Sequence, residues 1–194
     1  MPGRARRAAF LSRSKPLSPI GTGRVHIHAM KTLTLVRHAK SSWKDPGLPD
    51  HRRPLNKRGR RDAPMMGRRL AEQGSPVELI VSSSAARAVE TAEAIAEELG
   101  YPWDEIVTDD DLYHADAAEM ITVVERQDDW IDHLMLIGHN PGLTELTNTL
   151  SQLGIDNVPT CGVVVLTYDV ACWGEIADTE PVRVAFDYPK KRRR

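Results

Sequence analysis

From Thr32 onward the sequence alternates short apolar runs with stretches of helical period, and that alternation admits few folds other than a sheet with helices laid against it. Leu33-Thr34-Leu35-Val36 reads as a buried strand and is followed by a long polar loop. Leu55 to Gly74 reads as a helix, with Ala63, Met66, Gly67 and Leu70 on one face and Pro64 expected to kink it or to mark a late start. Val77 to Val81 is a second strand. Ser84 is placed to cap a helix whose Ala85, Val89, Ala92, Ala96 and Leu99 form one apolar stripe closed by Gly100. Asp116 to Glu125 suggests another helix, and Leu134 to Ile137 another strand. Asn140 at the N-cap and Pro141 at the first helical position open a helix toward Leu150. Gly162–Tyr168, Trp173–Ile176 and Val182–Phe186 read as three further strands. The expected fold is α/β, a three-layer α/β/α sandwich on a mainly parallel central sheet.

A chain of 194 residues with 41% hydrophobic content suffices for one domain with its own core. The expected limits are a disordered basic extension over residues 1–29, a domain over 30–188 and a basic tail over 189–194. The extension has Arg4, Arg6, Arg7, Arg13, Lys15 and Arg24 and no acidic residue. Its Arg/Ser-rich makeup resembles an organelle transit peptide, although its prolines oppose an amphipathic helix. With 26 Lys and Arg against 27 Asp and Glu, the net charge of −1 supplies no general field for nucleic acid or an anionic membrane, so any anion site has to be local. No apolar run approaches the roughly 20 residues of a membrane span. Cys161 and Cys172 have no CxxC partner, which argues against a zinc site or disulfide framework and for reduced thiols in the cytoplasm.

Open α/β sheets bind ligands beyond the carboxyl ends of their strands. Three of the predicted exits are rich in polar chemistry: Arg37-His38-Ala39-Lys40-Ser41-Ser42, Ser82-Ser83-Ser84 followed by Arg87, and Gly138-His139-Asn140-Pro141. Two arginines and two histidines converging on one pocket make a phosphate site, because the guanidinium fork matches phosphate oxygens. One neutral imidazole there can attack phosphorus and form a covalent intermediate. His38 is the better candidate nucleophile, since the turn at Ala39 can hold one ring nitrogen and leave the other free.

Together with Arg53-Pro54-Leu55-Asn56-Lys57-Arg58-Gly59 and the Ser82–Ala92 segment, these motifs make Lys31 to Phe186 resemble the histidine phosphatase superfamily, and within it the SixA-like phosphohistidine phosphatases. The resemblance implies a phosphoglycerate mutase-like fold. It also implies a metal-independent, cofactor-free phosphatase in which His38 is phosphorylated, Arg37, Arg87 and His139 hold the phosphoryl oxygens, and Ser41 adds a hydrogen bond. Two departures stand out. Ser83-Ser84 replaces a usual Ser-Pro, and Arg52 stands where an Asp often precedes Arg-Pro-Leu. No segment matches the acidic motif by which relatives protonate a leaving alcohol, which favours a leaving imidazole over an alkoxide. The expected substrate is therefore protein phosphohistidine. The alternatives are a small phosphomonoester or a non-catalytic phosphate-binding module. Phosphorylated protein or a small phosphorylated compound is the expected partner, without nucleic acid or membrane.

The remaining polar residues receive plainer expectations. His26 and His28 belong to the basic extension, His51 and His114 to surface loops with His114 near the pocket rim, and His133 to a strand. Asp109, Asp110, Asp111 and Asp116 form a solvated acidic loop that could also supply an acid. Trp43 either packs its loop or shapes substrate access, and Arg58, Arg60 and Arg61 form a solvated helix face.

Overall fold

The apolar run after Lys31 forms the middle of a six-stranded sheet in the computed structural model, which describes residues 30–74 and 76–191. The extension at 1–29, with His26 and His28, lies outside the described residues, as do Arg192 to Arg194 of the tail. The strands are β1 (Met30–Arg37), β2 (Leu79–Ser83), β3 (Val107–Asp109), β4 (His133–Gly138), β5 (Val163–Asp169) and β6 (Arg183–Asp187), in the spatial order β3-β2-β4-β1-β5-β6. β1, β2, β3 and β4 pair in parallel, whereas β5 pairs antiparallel with both β1 and β6. Only β5 thus runs against the others, so the sheet is mainly parallel, as expected.

Burial on both faces explains the nearly unbroken apolar character of β1 and β4. Successive side chains in a strand point to opposite faces. Leu33, Leu35, Leu134 and Leu136 therefore meet α3 (Ala117–Glu125) and α4 (Gly142–Ser151) through Met120, Val124, Leu143 and Leu146. Val36, Met135 and Ile137 face the other way, toward α1 (Lys57–Ala71) and α2 (Ala86–Leu99), where Met66, Ala92 and Ile95 close the second core. The result is the three-layer sandwich.

The helix boundaries hold several corrections. α1 starts at Lys57 behind Asn56, whose side chain accepts from the Gly59 N–H, and it runs on through Pro64. A proline removes a single helical hydrogen bond, and the stripe packed on α2 holds the turns on either side. Ser84 and Asn140 are not the caps. Ala85 and Pro141 occupy those positions without a side-chain cap, and the Asn140 amide instead donates to Asn157 Oδ1 and the Val158 carbonyl. Trp173–Ile176 is not a strand either. Residues Trp173–Glu175 form a 3-10 turn that buries Trp173 and brings Ile176, one turn later, into the same core. The short strand β3, unmarked by any apolar run, is held at the sheet edge by its pairing with β2.

Candidate active site

β1, β4 and β2 are adjacent and parallel, with Arg37 opposite Gly138 and Ser82 opposite Ile137, so the three polar exits emerge side by side at one edge of the sheet. The backbone after β1 is held from several directions. The His38 N–H donates to the Gly138 carbonyl, and the Cys161 N–H reaches the carbonyls of Arg37 and His38. The Ala39 N–H donates to Thr91 Oγ1, which in turn donates to the Arg87 carbonyl on α2 and so ties two of the exits together.

The His38 ring is fixed in the way its turn suggested. Nδ1 lies 2.7 Å from the Ala39 carbonyl oxygen. A carbonyl only accepts, so the proton sits on Nδ1 and the lone pair on Nε2. Burial, reinforced by Arg87, Arg37 and Arg53 and opposed by the Ala39 contact, lowers the pKa of His38 from 6.5 to about 4. The ring is thus neutral at physiological pH. His139 stands beside it with ring centroids 4.9 Å apart. Its Nε2 is 2.8 Å from Ser83 Oγ at the end of β2, and its Nδ1 is buried without a hydrogen-bond partner among the described residues. Burial, followed by the charges of His38, Arg87 and His114, outweighs Asp50 and takes His139 down to about 3.

Arg37 directs Nη1 to the Val158 carbonyl and Asn157 Oδ1, leaving a buried Nε without a partner. Arg87 is buried and donates to the Asp50 carbonyl at 2.7 Å and to Asp50 Oδ2 at 3.0 Å. Ser41, also buried, accepts from Arg53 Nη2 at 2.6 Å and keeps its own proton to donate. All five residues singled out by their motifs, Arg37, His38, Ser41, Arg87 and His139, are therefore gathered at this edge.

Three further residues belong to the site and had no role assigned from the sequence. Arg53 is a third guanidinium, brought in because residues 40–42 pair with 54–56: Ser42 N–H to the Pro54 carbonyl, Asn56 N–H to the Lys40 carbonyl, and a Ser41–Leu55 bridge. Its place in the Arg53-Pro54-Leu55 segment was the available signal. Asp50 accepts from both Arg53 and Arg87 and from the Tyr113 hydroxyl. It lies two residues before Arg52, the position that departs from the usual Asp. Burial would raise the Asp50 carboxyl, but Tyr113, Arg87 and Arg53 together hold it at about 2, so it is ionised at neutral pH. Three of the four loop acids are engaged elsewhere: Asp109 and Asp111 pair with Arg126, and Asp116 forms the capping box of α3. His51 is half-buried against Ser84 Oγ, and His114 lies at the rim with its ring 6.2 Å from that of His139. No group of three or more His, Cys, Asp or Glu side chains is arranged to hold a metal ion among the described residues.

Three guanidiniums, one free imidazole lone pair and two orphaned buried donor or acceptor atoms can hold a tetrahedral anion. The profile of the histidine phosphatase superfamily (branch 1) matches residues 33–140. An uncharacterised chloroplastic protein of Arabidopsis thaliana is 32% identical over 153 residues, covering 75% of this chain and 70% of that protein. An uncharacterised protein of Mycobacterium tuberculosis is 32% identical over 168 residues, covering 80% of this chain and 100% of that protein. A crystal structure assigned to a phosphohistidine phosphatase SixA of Agrobacterium tumefaciens superposes with a TM-score of 0.68 at 25% identity, covering 80% of this chain and 97% of that one. The protein histidine phosphatase SixA complexed with tungstate shares the fold, with a TM-score of 0.65 at 18% identity over 81% of this chain and 94% of that one. The profile spans more than half of the sequence and includes Arg37, His38, Arg53, Arg87 and His139, and on that ground the chain belongs to the histidine phosphatase superfamily, branch 1.

Proposed function

We propose that this protein is a phosphatase that takes a phosphoryl group onto Nε2 of His38 and releases it to water, with protein phosphohistidine as its substrate and no metal ion in the reaction. The observation that carries the proposal is the Nδ1–H contact to the Ala39 carbonyl, which leaves Nε2 deprotonated among three guanidiniums. Arg37, Arg53 and Arg87 would neutralise the charge on the equatorial oxygens, with His139 Nδ1 and the Ser41 hydroxyl as further contacts. The His38 lone pair attacks phosphorus as the bond to the leaving group breaks. Water then attacks the phosphorylated His38, giving inorganic phosphate and restoring the neutral imidazole.

The leaving group has to gain a proton. Asp50 is a carboxylate at neutral pH and holds Arg53 and Arg87 in place, so it is a positioning residue here and not the donor. A phosphoramidate nitrogen that is protonated from solvent departs as neutral imidazole, which suits a site without a protonated acid. The test is phosphate release from a phosphohistidine peptide in the presence of a chelator. Activity is expected in the wild type and absent in His38→Ala. Undiminished release by that variant would overturn the mechanism, and release abolished by the chelator and restored by a metal would overturn its metal independence.

A small phosphomonoester is the second reading. A 2,3-bisphosphoglycerate-dependent phosphoglycerate mutase of Brucella ovis is 31% identical over 99 residues, 46% of this chain. A substrate panel decides between the two: preference for alkyl esters over phosphoramidates would favour the second.

A further inference from the structure

Two of the guanidiniums that face the site lie against aromatic rings from different loops. Arg87 Cζ is 5.8 Å from the centroid of Tyr113, and Arg53 Cζ is 3.2 Å from the centroid of Trp43. Trp43 follows His38 by five residues and is 72% exposed, although its ring is stacked on a buried cation. An indole held this way gives up most of the hydrophobic gain that burial would bring. Trp103 and Trp130 are about as exposed, yet Trp43 is the one whose ring is fixed on an arginine that also holds Ser41 and Asp50. Across the site, Tyr113 is edge-on to His139, with centroids 5.7 Å apart, and packs on His114 at 4.0 Å. A phosphoryl group seated on Arg53 and Arg87 thus has aromatic surface beside each guanidinium.

We propose that Trp43, stacked on Arg53, is a specificity-determining residue: it receives a planar leaving group, the imidazole of a phosphohistidine or the aryloxy ring of an aryl phosphate, and thereby favours such substrates over those with small or alkyl leaving groups. Rings offset-stack on an indole face with a definite orientation, whereas ammonia or a short alkyl chain gains little from it. The proposal deepens the phosphatase reading and rests on it for its substrate. It is separable from that reading because stacking acts on binding as well as on turnover.

The experiment compares wild type, Trp43→Leu and Trp43→Phe in two assays. Calorimetry measures the affinities for phenylphosphonate and methylphosphonate, and kinetics measure kcat/KM for phosphohistidine and for phosphoramidate, which has the same P–N bond without a ring. Wild type should prefer phenylphosphonate, and Trp43→Leu should lose about tenfold on both ring compounds while changing the ringless ones less than about twofold. Trp43→Phe should retain the preference. Equal losses on ring and ringless compounds would show that Trp43 merely holds Arg53 and would overturn the proposal. Ring preference in binding without turnover of either P–N compound would sink the phosphatase reading and leave the platform standing. Turnover that requires His38, with a ring preference indifferent to Trp43→Leu, would do the reverse.

Discussion

The depressed basicity of His38 can be tested directly by titration. The shift from 6.5 to about 4 amounts to ~3 kcal/mol against the imidazolium in the folded protein. At pH 6 a histidine of ordinary basicity would be about one-quarter neutral, whereas His38 should be about 99% neutral. Burial is the largest cause, followed among the lowering effects by Arg87, so Arg87→Gln should move the midpoint upward. The assay is NMR titration of the ring protons of the seven histidines in phosphate-free buffer between pH 3 and 8, with His38→Gln to assign the resonance. The acid limb of kcat/KM, which reports the free enzyme's essential base, should fall well below pH 6.5. Stability follows with a definite sign. The unfolded chain takes up the proton first as the pH drops, so the contribution of His38 is complete above about 6.5 and is lost as the pH falls toward about 4. A midpoint at or above 6.5, or one that Arg87→Gln lowers, would refute the account of how His38 is kept neutral.

Other perturbations reach the supports of the site. Asp50→Asn weakens the clamp that holds Arg53 and Arg87 in place, and because the carboxylate is partly exposed the loss should be modest: inorganic phosphate should bind ~2- to 5-fold more weakly by calorimetry, and tighter binding would contradict the positioning role. In Gly142→Ala the new methyl would lie 2.0 Å from the Ala115 carbonyl oxygen, forcing the start of α4 away from the loop before α3. Urea denaturation should show a loss of about 2–3 kcal/mol.

Much of this site could be read before any fold was known, because its main residues sit in short segments whose local pattern announces a strand end. Arg37-His38, Arg87 behind Ser83, and Gly138-His139 needed only the βα alternation to be aligned at one sheet edge. Even the freed nitrogen of His38 followed from a contact with the next residue. The Trp173–Ile176 turn defeated the same reasoning, since apolar residues spaced for one face of a turn mimic a strand when what they pack against is unseen. The β3 strand escaped it because its order comes from a neighbour and not from its own three residues.

The parts decided by tertiary structure are those in which distant segments share one charge or one ring. Asp50 becomes a clamp only when the loop after β1 folds back and α2 delivers Arg87, and Tyr113 completes it from 63 residues further along the chain. Arg53 becomes part of the anion site, and Trp43 a surface beside it, through the pairing of residues 40–42 with 54–56. Sequence alone determined the layered sheet and the strand exits and put His38 at one of them, because periodicity and neighbouring backbone act over a few residues. The arrangement of cations, carboxylate and aromatic rims depended on the folded chain, because electrostatics and packing act across space and carry no trace of sequence distance.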